Sequence, residues 1–313
     1  MKRLFFPLLG IALMLIPSLF VSCSETDEDP PVAQIFFEPD ANNPYKILFS
    51  VVATNADSYQ WSFGDQKGSS MEKDPQYTYE MSGDYTVSLM VKGKGGEIEV
   101  NRQVSIAAST LELLTGGAAA SNGKTWVLSK TASNGDGASS FAGIQYQPAP
   151  NDVLSMFGIG DEYDNEFTFH NNGNYGINAK NGNVLAAAVY AYMENTLASE
   201  PAWDLGLAAA KYTAGSGLKF ELKEGDLSVV VREENPQTQV VSEVRNHKFT
   251  NVKYITFTNG YLGILTYNTT VIIRDISSSR MVVSMLVSTL DPSKFGDDFQ
   301  KPSIMYTLSF DKK

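Results

Sequence analysis

The chain has 313 residues, about two domains' worth at the usual ~100–200 residues each, and its 43% hydrophobic and 11% aromatic content excludes disorder for the bulk of it. Lys plus Arg number 24 against 35 Asp plus Glu, a net charge of −11, so the basic footprint of a nucleic-acid binder is lacking. Two histidines and one cysteine exclude Cys-rich zinc sites, internal disulfides and Cys/His nucleophile pairs.

Lys2 and Arg3 precede the apolar run Leu4–Phe20, which is short for a bilayer span and carries Pro7 and Pro17. It reads as the h-region of a signal peptide over residues 1–22. The run closes on Phe20-Val21-Ser22-Cys23, the only cysteine of the chain, placed directly after a small residue. This resembles a bacterial lipobox, with Phe20 standing where Leu is usual. The resemblance implies cleavage before Cys23, acylation of its thiol and a lipid anchor in the membrane. Residues 23–32 hold Glu25-Thr26-Asp27-Glu28-Asp29, a solvated acidic tether. An acidic run at this place is similar to the export signal of surface-displayed Bacteroidota lipoproteins, which implies an outer-membrane, surface-exposed location.

From residue 33 to 107 apolar and polar residues alternate at period two. Strands are expected at Ile47–Ala53, Ser58–Phe63, Tyr85–Val91 and Ile98–Ile106, with Lys92–Gly96 as a hairpin loop. Short strands at this spacing imply an immunoglobulin-like sandwich. Three blocks, Trp61-Ser62-Phe63-Gly64-Asp65, Pro75-Gln76-Tyr77-Thr78-Tyr79 and Gly83-Asp84-Tyr85-Thr86-Val87, resemble the signature of the polycystic-kidney-disease (PKD) domain. Ser62, Gln66 and Tyr77 depart from the family's Asp, Gly and His. Trp61 and Phe63 read as core, Asp65 as a turn former, and the whole domain as a spacer.

Residues 108–122, rich in Thr, Gly, Ala and Ser, read as a linker. The stretch 123–313 opens a second set of strands. Lys124–Leu128 comes first, and Phe167–Tyr175 follows as a hairpin around Asn171-Asn172-Gly173-Asn174. Further strands are expected at Leu218–Lys223, Leu227–Val231, Tyr254–Thr258, Leu262–Tyr267, Val271–Asp275, Met281–Val287 and Ile304–Phe310. Ala-rich Val184–Ala198 permits one short helix at most. The fold class is therefore all-β, with the second domain a β-sandwich, jelly roll or barrel-like closed sheet. Its opening Gly123-Lys124-Thr125-Trp126, the Asp161–Phe169 run and the Tyr/Ile-rich ending are similar to C-terminal domains of PKD-containing surface glycan-binding proteins. That resemblance implies binding of a polysaccharide or oligosaccharide without a cofactor. It also implies work beside a TonB-dependent transporter and its glycan-capturing lipoprotein partner.

Two constellations carry chemistry. Asp161-Glu162-Tyr163-Asp164-Asn165-Glu166 places Glu162, Asp164 and Glu166 at i, i+2 and i+4, one face if the stretch is a strand. The spacing resembles the catalytic strand of glycoside hydrolase family sixteen, but Tyr163 and Asn165 stand where apolar residues are usual. A solvated acidic strand entrance or a calcium site fits the same residues. The second constellation is aromatic, since flat rings stack on the apolar faces of sugars. Trp203 lies in the Pro-bearing loop Ser199–Asp204, beside the acceptor Asp204, and is expected to be exposed. Tyr146, Tyr190 and Tyr192 sit in irregular parts of the domain and join it as expected glycan contacts. The sequence thus reads as a non-enzymatic glycan binder, with a family-sixteen-like hydrolase using Glu162 and Glu166, or a structural adhesin, as the alternatives.

Overall fold

A computed structural model describes residues 28–41, 43–141, 146–232 and 244–313; the expected signal peptide, Cys23 and the first half of the expected tether, residues 23–27, lie outside the described residues. The chain divides into two compact units. The first, as described, gathers residues 28–38, 48–77 and 86–103, and the second gathers 39–47, 78–85 and 104–313. No helix among the described residues is long and apolar enough to cross a membrane.

Seven strands open the fold: β1 (Val32–Pro39), β2 (Lys46–Thr54), β3 (Ser58–Ser62), β4 (Ser69–Ser70), β5 (Gln76–Thr78), β6 (Gly83–Gly93) and β7 (Gly96–Ile106). They pair as β1-β2-β5 and β4-β3-β6-β7, the two sheets of a sandwich. Alternation turns Phe49, Val51, Trp61, Val87, Leu89 and Val91 inward, all buried. The Trp61 indole N–H donates to the Glu72 carbonyl at 2.9 Å, so the ring's polar edge is satisfied inside the core. β1, β4 and β5 escape the sequence pattern because two of them are too short to show a period.

After β3 the chain turns sharply at Gly64-Asp65-Gln66. Asp65 accepts from the N–H groups of Lys67 and Gly68, both at 3.0 Å, and from the Tyr77 hydroxyl. Partial burial pulls its carboxyl up, but these hydrogen bonds outweigh it and hold Asp65 below the usual carboxylate range. The Tyr77 ring stacks on Phe63, centroids 4.1 Å apart. Tyr77 therefore serves the turn with its hydroxyl and the core with its ring.

Residues 108–122, expected as a linker, are ordered within the second unit. Residues Thr110–Thr115 form helix α1, capped by the Ser109 side chain at its start and by left-handed Gly116 at its end. Leu114 is buried, and its carbonyl accepts from the Trp126 indole at 2.9 Å. Then follow β8 (Lys124–Leu128), β9 (Gly137–Ser139), β10 (Tyr146–Pro148), α2 (Val153–Met156), β11 (Glu166–Phe169), β12 (Tyr175–Asn178), β13 (Asn183–Ala187), α3 (Ala188–Met193) and β14 (Leu207–Lys211). The set ends with β15 (Lys219–Val231), β16 (Arg245–Thr258), β17 (Val271–Ile276), β18 (Arg280–Val287), α4 (Pro292–Phe295) and β19 (Ile304–Lys312). Four short α-helices stand among the described residues where one at most was expected.

Eight of these strands form an antiparallel up-and-down meander, β8-β11-β12 and β15-β16-β17-β18-β19, with β19 pairing back onto β8. The seam between β12 and β15 is bridged by Tyr175 N–H to Leu218 and Phe220 N–H to Gly173, both at 3.0 Å. Of the closures the sequence allows, the sheet takes the barrel-like one. Trp126, Phe167, Phe169, Phe220, Ile255 and Phe310 point inward and share one core. Two insertions leave the meander: β9-β10 with α2 after β8, and the β13-α3-β14 unit after β12. In the latter, Ala186, Ala187, Ala188, Ala208 and Ala210 are wholly buried. Tertiary packing overrides the helical propensity of this Ala-rich stretch, and only Ala188–Met193 is helical. Leu262–Tyr267, expected as a strand, is a loop whose Leu265 pairs with Leu185 and Ala187 of β13.

β15 and β16 make a long hairpin broken by a bulge between Gly225 and Leu227. Beyond it, Val229, Val231 and Phe249 join Ile272, Leu286 and Met305 in a separate buried cluster. β17 and β18 are therefore covered on both faces, which explains the near-continuous apolar run Met281–Val287.

The turn after β3 yields a paired test. Gly64 has φ +82°, and a Cβ there would lie 2.5 Å from the Thr86 carbonyl oxygen. Gly64→Ala should cost about 2 kcal/mol or more, read from urea denaturation. Gln66 is exposed with φ +62°, so Gln66→Gly should cost nothing and gain up to about 1 kcal/mol.

Candidate functional site

The two insertions and the start of β19 enclose a cavity of about 540 Å³ in the second unit. Gln147 and Pro148 of β10, Phe157 after α2, Trp203, Asp204 and Tyr306 are among its lining residues. The volume falls within the ~300–1,000 Å³ of ordinary ligand pockets. Trp203 is 57% exposed and Phe157 40%, two large rings that the core does not consume.

Trp203 is held by a tight local device. An Ala202–Leu207 bridge closes the loop, with N–H to carbonyl distances of 2.8 and 3.3 Å, and Trp203–Leu205 forms a single 3₁₀ turn inside it. The turn ends at Gly206 in the left-handed region, φ +64°. Gly206 in turn gives its carbonyl to the Ala188 N–H at 2.8 Å. From below, the Tyr306 hydroxyl donates to the Leu205 carbonyl. The indole therefore stands on a backbone fixed at several consecutive residues.

The expected contacts separate. Trp203 and Asp204 line this cavity. Tyr146 does not; it is exposed on β10 and its hydroxyl donates to the Asp136 carbonyl at 2.9 Å. Tyr190, on α3, lines a second cavity of about 430 Å³. Tyr192 is 61% exposed and lines neither. Phe157 and Tyr306 went unread in the sequence. Phe157 follows the apolar Met156 and precedes Gly158, a loop aromatic of the same kind as Trp203, and that pattern could have found it.

The carboxylate reading needs correction. Gly160–Asp164 is a 3₁₀ turn and only Glu166 enters a strand, so Glu162, Asp164 and Glu166 do not share a strand face. Glu162 is 3% exposed rather than solvated, and accepts from the Asn165 amide at 2.7 Å. Burial raises its pKa, the Asn165 bond opposes this, and nearby Asp161 adds to the rise. Glu166 is engaged by Lys180 at 2.9 Å, by Lys313, and by the Asn178 amide at 3.0 Å. Among the described residues no cluster of three or more His, Cys, Asp or Glu could hold a metal ion. His247 is half-buried against Phe141 and Phe249, ring centroids 5.5 and 4.6 Å away.

Residues 28–107 match the family model of the PKD domain, and the first domain is a PKD domain. Among solved structures, the PKD1 domain of Vibrio anguillarum Epp is 26% identical, with 26% of this chain and 98% of that one covered at a TM-score of 0.24. The PKD domain of human SorCS2 is 20% identical, covering 35% and 98% at 0.23. A structure described as a promiscuous carbohydrate-binding module of the β-sandwich superfamily is 13% identical, covering 91% and 92% at 0.24. No curated protein matches the chain.

Tyr306 offers a check on the turn. Burial pushes its hydroxyl from the ordinary value of 10.0 up to about 12. Only the neutral phenol donates to Leu205, so its contribution is complete below pH ~10 and lost as pH rises toward ~12. Tyr306→Phe should cost about 0.5–1.5 kcal/mol at pH 8 and shrink the loss of stability between pH 10 and 12. Denaturant melts of both proteins across that range measure it.

Proposed function

We propose that the protein is a lipid-anchored lipoprotein of the outer-membrane surface that binds a polysaccharide or oligosaccharide without catalysis. The observation that carries this reading is the exposed Trp203 ring, fixed on its turn at the mouth of the 540 Å³ cavity. A sugar presents an apolar C–H face and a rim of hydroxyls. Trp203 and Phe157 supply flat apolar surface, and Asp204 and Gln147 supply polar groups beside it. The carboxylates of the hydrolase alternative line neither cavity, and Glu166 is tied up with two lysines and an asparagine. In this reading Cys23 carries the acyl anchor, the acidic tether directs display and the PKD domain is a spacer. Captured glycan passes to a TonB-dependent transporter and its lipoprotein partner.

Native gels containing single polysaccharides provide the test. The mature chain should be retarded by at least one polysaccharide and release no reducing ends from it. Trp203→Ala should weaken binding by about 1–3 kcal/mol, the size of stacking losses on aromatic side chains in nucleic-acid binders. An exposed ring implies that its melting temperature barely changes. Unchanged retardation in Trp203→Ala, or sugar release by the wild type, would sink the proposal.

The anchor is tested separately. Cys23→Ala should abolish labelling by radioactive palmitate and leave the precursor uncleaved. A processed, membrane-bound variant would refute the lipobox.

A further inference from the structure

The lining of the Trp203 cavity falls into two zones. Gln147, Phe157, Trp203 and Asp204 are exposed and form its rim. Leu154, Ala188, Leu207 and Leu308 are buried and form its floor. The polar groups nearest that floor are already engaged. The Tyr306 hydroxyl donates to the Leu205 carbonyl. The Thr289 hydroxyl pairs with the Ser303 hydroxyl at 2.7 Å, and its methyl lies toward Gly206, where an added Cβ would meet it at 3.0 Å. Ala138 of β9 sits in register between Gln147 and Tyr306, and the Gly206 carbonyl is taken by the Ala188 N–H.

This division selects among sugars. A ring stacked on Trp203 keeps its hydroxyls at the wet rim, beside Gln147 and Asp204. A hydroxyl pushed down to the floor would lose its water and find the polar groups there already paired, which is costly. A methyl group in the same place takes apolar surface out of water on both sides, which is favourable. Charge narrows the class further. No Lys, Arg or His is among the described lining residues, and Asp204 is the one carboxylate. A uronate or a sulfate ester would therefore meet a like charge and no opposite one. An acetyl group carries a methyl on a short neutral arm, and the cavity of about 540 Å³ has room for both ring and arm.

We propose that the cavity is built for an acetylated neutral sugar: the ring lies on Trp203 at the rim, and the methyl of an acetamido or acetyl-ester group enters the apolar floor. This inference rests on the glycan-binding reading of the same site and names the substituent that the site recognises.

Calorimetric titration with two matched pairs tests it. Chitohexaose and cellohexaose share a linkage and differ in the acetamido group, and acetylated glucomannan differs from its saponified form in the ester. The acetylated member of at least one pair should bind about fourfold to tenfold more tightly, the effect of burying one methyl group. Which pair responds tells an acetamido group from an ester. Two substitutions at half-buried lining positions should bring that preference below about twofold. Val153→Thr keeps the side chain's shape but adds a hydroxyl, and Ala138→Leu fills space. Should Ala138→Leu fail to fold, the Val153→Thr ratio decides. Equal affinity within both pairs, or a preference that survives the substitutions, would overturn the acetyl pocket and leave the Trp203 reading standing. Binding confined to unacetylated polysaccharides would do the same. Absence of binding to every glycan tried would overturn both.

Discussion

An eight-stranded barrel encloses a space that either side chains fill or one small ligand occupies. Here Trp126, Phe167, Phe169, Phe220 and Phe310 fill it, with the buried alanines of the β13-α3-β14 insertion packed against them. The interior is thus committed to stability, and the cavities are displaced to the insertions. Both cavities are built that way: one between the β10–α2 segment and the Trp203 turn, the other between α3 and the β16–β17 loop. The small residues of the insertion follow from the same constraint. A Leu in place of Ala186 or Ala208 would have to share space with rings already in contact.

Satisfaction of polar groups decides which aromatics belong to the core. Trp61 and Trp126 each pass their indole hydrogen to a backbone carbonyl, Glu72 and Leu114 respectively, and so can be buried entire. Trp203 stands on a turn with its ring in the open. The difference between a structural and an available tryptophan is therefore local. It depends on whether a carbonyl lies within reach of Nε1 when the ring is packed.

Much of the fold was legible because period-two alternation survives wherever a strand has one wet face, as in Phe167–Phe169 or the first half of β15. It fails where both faces are covered or the strand is three residues long, as in β9 and β10. Ser109-Thr110-Leu111-Glu112 followed by Gly116 carries a helix start and stop, yet the surrounding Thr/Gly/Ala composition reads as linker. At the candidate site, Trp203 was readable from its Pro-bearing loop. The separation of Tyr190 from Trp203 was not, since it depends on which side of a six-residue helix each residue faces. The acidic triplet misled for a related reason: strand spacing applies only to a strand, and Gly158 and Gly160 introduce a 3₁₀ turn instead.

The pairing of β8 with β19 has a consequence for how the chain reaches this state. Trp126 lies in register with Lys312, and Leu128 with Phe310, so the first barrel strand finds its second neighbour only when the last one arrives. During vectorial synthesis, the meander remains an open sheet with β8 exposed along one edge. Loop-closure entropy for so distant a pairing is spent late and all at once, which places the second unit among slow, high-contact-order folders. The sandwich ahead of it completes its own pairings well before β19 emerges. A chain leaving the ribosome therefore carries one finished domain and one long-lived, edge-exposed intermediate, and the waiting time is set by the distance between β8 and β19 along the chain.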